Sequence, residues 1–212
     1  MDIKLYSDKE IIGRIYLQYC EISQGLSKEK QVEILPKLLS VMHKLTVMKY
    51  HKTNYQNRLK SKMGSLSKQL RKLKNTPEQI NFEENFDLIA ETEAFLFQTK
   101  SCLDILVKIL SPICSISFGA VYTFENKGEK IIDILNNNIS FKKYEKDKID
   151  TLIAIIKEDR DKWLTYTIDL RDKTNHEESL RNLLIEVKRL QNGDLIPMPP
   201  KLDGIDISSL LD

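Results

Sequence analysis

The sequence is poor in glycine, proline and cysteine, with seven, six and three of them in 212 residues. So few turn-forming residues argue against an all-β fold, and the glycine-rich motifs of dinucleotide-binding and P-loop proteins do not occur. An odd number of widely spaced cysteines, Cys20, Cys102 and Cys114, argues against a disulfide framework or a paired-cysteine metal site. No run of 18 apolar residues and no apolar N-terminal signal segment is present. We therefore expect a cytoplasmic protein without a membrane span.

Acidic residues are missing from one long stretch of the chain. Residues 34–77 contain no Asp or Glu but eleven Lys and Arg, whereas the whole chain carries +2, so the remainder carries −9. A block of one sign predicts a surface for an anionic partner such as nucleic acid, and a solvated helix face is the alternative. With 41% hydrophobic residues, the chain can still bury a core.

The same stretch has the periodicity of an amphipathic helix. A first helix is expected from Asp8 to about Gln24, with Gly25 as its stop, and Ser27 begins the next. Pro36 suits the first turn of a long continuation that ends at Asn75-Thr76-Pro77. Apolar residues in this continuation recur every three, four or seven positions, which predicts a core-facing or coiled-coil stripe with the basic residues outside.

Further helices follow. Thr76-Pro77 is expected to cap a third helix that reaches about Leu110, before Pro112, and residues 111–128 resemble a connector. A brief helix at 129–137 and a longer one from near Tyr144 come next.

The C-terminal part has a different pattern. Residues 181–190 and 195–198 resemble two strands joined by an Asn-Gly turn, with a helix over 179–190 as the competing interpretation. Prolines argue against regular structure in the tail, 199–212.

The fold class expected is a mainly all-α, antiparallel helical bundle with a long basic N-terminal helical hairpin and a small C-terminal β-hairpin. We divide it into an N-terminal helical region at 1–75, a bundle core at 76–180 and a hairpin with a tail at 181–212.

One segment carries the residue types of phosphodiester chemistry, WLTYTIDLRDKTNHEE at 163–178. Arg171 and His176 are five positions apart, and a continuing helix is expected to place them on neighbouring parts of one surface. Imidazole takes and gives protons near neutral pH, and guanidinium pairs with phosphate oxygens. His176 is therefore a candidate acid or base, and Arg171 a candidate for stabilising charge on the phosphoryl group.

This segment resembles the HEPN family (higher eukaryotes and prokaryotes nucleotide-binding domains), whose signature is Arg, a polar residue, a few spacers and His. Arg171 to His176 fits the form with four intervening residues, with Asp172 in the polar position. The apolar helix predicted over Phe86–Leu110 is similar to an early helix of such bundles, so the resemblance covers roughly Phe82 to His176.

The resemblance implies a homodimer in which two motifs form a composite site. That site would cleave RNA without a metal or other cofactor and leave a cyclic phosphate. Arg171, His176 and Asp172 would be its catalytic residues, and a toxin or defence role with an antitoxin or regulatory protein as partner is implied. The family's toxins carry Tyr two residues after the His, where this chain has Glu178, so regulation through that tyrosine is not expected.

Other residues are assigned supporting roles. Asn175, Glu93 and Asp104 are expected to position the catalytic pair, although pairing of Asp104 with Lys100 along the helix is the alternative for that carboxylate. The candidates for contact with RNA phosphates lie in the basic segment: Lys60, Lys68, Arg71, Lys72 and Lys74.

Competing roles remain for the central pair. His176 could cap a helix end, and Arg171 could pair with Asp169, Asp172 or Glu178. His43 and His51 have no carboxylate near them in the sequence, so no metal site is expected. The leading hypothesis is a metal-independent endoribonuclease, and the alternative is a non-catalytic helical module that binds nucleic acid or a protein.

Overall fold

The chain is mainly α-helical in the computed structural model, which describes residues 9–72, 85–114, 116–119, 123–137, 143–176, 180, 183–202 and 204–211. The helices are α1 Lys9–Ser23, α2 Lys28–Lys72, α3 Phe86–Cys114, α4 Glu129–Asn137, α5 Lys143–Asp159, α6 Thr165–His176 and α7 Ile207–Leu211. The strands are β1 Glu186–Arg189, β2 Leu195–Met198, β3 Lys201–Leu202 and β4 Ile205–Asp206. The expected fold class, mainly α with a small C-terminal β-hairpin, is confirmed.

The residues form two compact units. The first contains residues 1–48 and 96–171, and the second contains residues 49–95 and 172–212.

The first unit has two apolar clusters. One is built by α3 to α6 and the loops between them, and it includes Val107, Phe124, Ile131, Ile153 and Ile168. The other joins buried side chains of α2 and α3. Burial of such side chains is the main favourable term in folding, so these clusters hold the unit together.

The start of α2 follows the prediction. Ser27 accepts a hydrogen bond from the Lys30 N–H, and the Gln31 side chain donates to the carbonyls of Ser23 (2.8 Å) and Leu26 (2.9 Å). Pro36 was expected in the first turn of a helix, but it lies inside α2. Because Pro36 is exposed, the Val32 carbonyl that loses its hydrogen bond faces the solvent side, which makes the proline tolerable.

The third helix begins and ends later in the chain than predicted. The expected start at Thr76-Pro77 lies outside the described residues, and α3 begins at Phe86 after the non-helical Asn85. It continues through Pro112 to Cys114, four residues beyond the expected end at about Leu110.

The next two helices agree with the sequence. The helix α4 has the predicted bounds, and α5 begins within one residue of the predicted position. A π-helical turn at Arg160–Leu164 joins α5 directly to α6. Helical backbone is therefore continuous from Lys143 to His176.

The β-hairpin is confirmed, with β1 and β2 antiparallel and Lys188 opposite Ile196, although β1 is shorter than the strand predicted over 181–190. Gly193 has φ +83°, which glycine adopts without strain at the turn. The expectation of an irregular tail was wrong. The tail forms the β3–β4 pair and α7, whose first turn is capped by the Asp206 carboxylate accepting from the Ser208 N–H at 2.8 Å. The prolines end at Pro200, and buried Ile207 and Leu211 stabilise the segment after them.

Candidate functional site

Arg171 and His176 both belong to α6, His176 as its last residue. The side chain of Arg171 is half-buried, and its guanidinium carbon lies 5.4 Å from the centre of the Phe97 ring of α3. A cation over an aromatic face is attracted by the ring, so Phe97 helps to fix this guanidinium. The side chain of His176 lies outside the described residues.

Helix geometry tests the expectation that Arg171 and His176 share one surface of α6. At 3.6 residues per turn, five positions correspond to about 140° around the axis. Arg171 and His176 are therefore on different sides of α6, and not on neighbouring parts of one surface as the spacing had predicted.

The expected supporting residues are distributed over the two units. Asp104 binds Lys100 along α3, as the alternative prediction had it, and accepts from the Phe124 N–H at 2.7 Å. Asp172 and Glu93 are half-buried, and the side chain of Asn175 lies outside the described residues. Asp169, an expected partner of Arg171, pairs with Lys127 at 2.8 Å.

Several cations of the basic segment are neutralised by carboxylates from outside it. Lys37 pairs with Glu33 at 2.7 Å, and Lys62 pairs with Asp87 of α3 at 3.1 Å. Arg58 contacts Asp87 as well, at 3.5 Å. The segment is therefore not uniformly available to an anionic partner.

A group of exposed cations remains on the C-terminal half of α2, and we call it the basic surface. It consists of Lys60, Lys68, Arg71 and Lys72. None of the ion pairs found among the described residues involves them. By helix geometry they lie within about 120° around the axis and span about 18 Å along it. Lys74, the fifth predicted contact, lies outside the described residues.

The second unit also contains a compact polar network between α2 and α3. Glu91 is buried, with 8% of its surface exposed, and its Oε2 lies 2.7 Å from Nδ1 of His51. Arg58 Nε contacts Glu91 Oε1 at 3.2 Å, and Asn54 Nδ2 lies 3.5 Å from Oε2. A buried carboxylate needs such partners, because an unpaired charge away from water is costly.

Asp87 extends this network by one helical turn. Partial burial raises the pKa of Asp87, but its hydrogen bond and charge interaction with Lys62 lower it, with help from the Leu88 N–H and Arg58. The net effect holds the pKa of Asp87 below its usual value.

Sequence reasoning missed this network. The acidic residues predicted to matter on α3 were Glu93 and Asp104, and His51 has no carboxylate near it in the sequence. The available signal was that each set of residues lies on one side of its helix. Asp87 and Glu91 are one helical turn apart on α3, and His51, Arg58 and Lys62 are spaced by seven and four positions on α2.

Two further kinds of reactive site were considered among the described residues, a cysteine nucleophile and a metal centre. Burial raises the pKa of the Cys102 thiol to about 11, although the charge of Lys44 opposes this, so the thiolate is scarce at neutral pH. Within the described ranges, no group of three or more His, Cys, Asp or Glu side chains could hold a metal ion. In the same part of the chain, no helix is both long and apolar enough to cross a membrane.

No protein-family model matches the sequence, and no curated protein or solved structure is significantly similar to it.

Proposed function

We propose that this chain binds RNA, and that the basic surface of α2 contacts the phosphate backbone. The observation that carries this proposal is the exposure of Lys60, Lys68, Arg71 and Lys72 on a helix without a single carboxylate after Glu33. Lysine and arginine that replace condensed counterions supply most of the affinity for a nucleic-acid backbone.

The dimensions of the basic surface support a backbone contact. About 18 Å along the helix is long enough to contact several successive phosphates of a nucleic-acid backbone. Four cations on an arc of about 120° match a curved anionic chain better than a single small anion. RNA is the polyanion favoured by the resemblance of Arg171 to His176 to the HEPN signature.

The second candidate function is cleavage of the bound RNA without a metal. The half-buried guanidinium of Arg171, placed over Phe97, favours it, because a guanidinium fixed by its neighbours can stabilise charge on a phosphoryl group. In this proposal His176 is the acid or base, Asp172 tunes the pair, and the homodimer brings two copies together. A cytoplasmic toxin or defence effector with an antitoxin belongs to the same proposal.

Fluorescence anisotropy with a labelled single-stranded RNA tests the binding. The variant Lys60→Ala/Lys68→Ala/Arg71→Ala/Lys72→Ala is expected to weaken binding at least about tenfold, since it removes four phosphate contacts. Its control, Lys146→Ala/Lys148→Ala/Lys157→Ala, removes exposed lysines from α5, where acidic residues alternate with them, and is expected to bind as the wild type does. Equal affinity of the basic-surface variant and the wild type would contradict the proposal.

Cleavage is tested separately in the presence of a chelator. His176→Ala is expected to lower the rate by about 10²–10⁴ while RNA affinity stays the same. A chain that binds RNA but does not cleave it would be the non-catalytic module of the alternative hypothesis.

A further inference from the structure

Gly64 is a glycine inside the long helix α2, in the middle of the basic surface. The residue is exposed, and a β-carbon built there would meet nothing within 4 Å. Its φ is not in the left-handed region that favours glycine. Glycine is less favourable than alanine inside a helix, because it loses more conformational freedom on folding. Neither packing nor backbone conformation therefore requires a glycine at this position.

The place of Gly64 between two cations gives the missing side chain a use. Lys60 and Lys68 lie one helical turn before and one after it, and Gly64 falls halfway between them around the axis, about 6 Å along it from each. The helix backbone is thus uncovered between two exposed lysines. Glycine is the residue that allows close approach between a backbone and a ligand. A sugar–phosphate chain can therefore cross α2 at Gly64 within reach of both lysines.

An exposed aromatic residue lies on the same side of α2. Tyr50 has 53% of its surface exposed, and by helix geometry it lies within the arc of the basic surface, about 15 Å before Lys60 along the axis. The rings of Tyr50 and His51 meet edge to face, with centres 5.3 Å apart, so His51 covers at most one face of the tyrosine. The 2.7 Å contact with Glu91 fixes His51 in turn. One face of Tyr50 is therefore open to a ligand.

Uncharged polar residues connect Tyr50 to the cations. Thr53 and Asn57 are exposed and fall on the same arc of α2. A hydroxyl and an amide can donate and accept hydrogen bonds, as base edges and ribose require. The aromatic, polar and basic residues thus share one side of the helix, over about 33 Å from Tyr50 to Lys72.

We propose that this side of α2 is a site for single-stranded RNA, with an unpaired base stacked on Tyr50 and the backbone crossing the helix at Gly64. This inference rests on the proposed binding of RNA to the basic surface and adds the class of RNA. An aromatic ring reaches the face of a base only where the base is unstacked, whereas a duplex keeps its base faces covered. Since every base has a π face, such stacking selects single strands without selecting a sequence.

Fluorescence anisotropy of the full chain tests the stacking, with a labelled RNA strand alone and with the duplex formed by that strand and its complement. The wild type is expected to bind the single strand more tightly. Tyr50→Ala is expected to weaken binding of the single strand at least about fivefold and to leave duplex binding unchanged, because stacking on one base is lost. Tyr50→Phe keeps the ring and is expected to bind the single strand as the wild type does.

Gly64→Leu tests the close approach of the backbone. Leucine favours helix, so this variant is expected to raise Tm. It is also expected to weaken binding of the single strand at least about fivefold, since the new side chain keeps the phosphates away from Lys60 and Lys68. Lower affinity with higher stability cannot come from damage to the fold. A β-carbon built at Gly13 of α1 also meets nothing within 4 Å, so Gly13→Leu is the matched control and is expected to leave RNA affinity unchanged.

The outcomes separate this inference from the proposed function. Unchanged binding of the single strand in Tyr50→Ala or in Gly64→Leu would overturn the inference, as would wild-type binding of the duplex as tightly as the single strand. Failure of the wild type to bind either form of RNA would instead overturn the proposed function.

Discussion

Glu91 and His51, forty positions apart in the sequence, are joined by a 2.7 Å contact between Oε2 and Nδ1. The neighbouring pairs run in the opposite sense along the two helices, since Lys62 meets Asp87 and His51 meets Glu91. The network therefore fixes an antiparallel register of α2 and α3 within the second unit. Removing one partner leaves the other charged groups partly buried without a partner. The network therefore contributes measurably to the free energy of unfolding.

Glu91→Ala is expected to lower the free energy of unfolding by about 2 kcal/mol, because His51 and Arg58 lose a buried partner. Urea denaturation measures this change. Glu93→Ala, two positions along and on the other side of α3, is the matched control and is expected to cost about 0.5 kcal/mol or less. Equal losses of unfolding free energy in the two variants would show that the network adds nothing to the effect of replacing any glutamate of α3.

Asp87 gives the stability a defined dependence on pH. Its pKa is lower in the folded chain than the unfolded value of about 3.9, so the folded state binds fewer protons in this range. The contribution of Asp87 is complete above the unfolded pKa and is lost as the pH falls through the folded pKa. Thermal unfolding from pH 7 to pH 3 is expected to show a smaller acid-induced decrease in Tm for Asp87→Asn. Parallel curves for the variant and the wild type would contradict this assignment.

Tyr55 is fully buried, and its hydroxyl has no hydrogen-bond partner among the described residues. Burial and the charge of Asp206 raise its pKa, so the phenol stays neutral. Tyr55→Phe removes an unsatisfied polar atom and is expected to raise the free energy of unfolding by about 1 kcal/mol. Tyr55→Ala leaves a cavity and is expected to lower it by about 3–5 kcal/mol. A loss on Tyr55→Phe in chemical denaturation would mean that the hydroxyl is satisfied in solution.

Gly128 has φ +84°, and a β-carbon built there would lie 2.7 Å from Phe124 Cζ and 3.1 Å from Ile156 Cγ2. Gly128→Ala therefore combines backbone strain with overpacking and is expected to cost about 2–4 kcal/mol. Gly193 has nearly the same φ but nothing within 4 Å, so Gly193→Ala isolates the backbone term and is expected to cost about 1–2 kcal/mol. Calorimetry of both variants measures the difference. Equal Tm values would show that the contacts with Phe124 and Ile156 add nothing to the cost of the substitution at Gly128.

Local patterns in the sequence predicted the local structure. The bounds of α4 follow from the amphipathic spacing of Ile131, Ile132 and Leu135, and the hairpin follows from the Asn-Gly turn. The C-terminal tail was missed because the burial of Ile207 comes from tertiary packing, which local composition does not encode. The contact of Glu91 with His51 was missed for the same reason, since it depends on the register of two helices.

The salt dependence of RNA binding tests the central claim most directly. Each phosphate contact with a single strand contributes about 0.7 to the slope of log Kd against log salt concentration. Removing Lys60, Lys68, Arg71 and Lys72 together is therefore expected to reduce that slope by about 3. A slope identical to that of the wild type would show that the basic surface does not contact RNA.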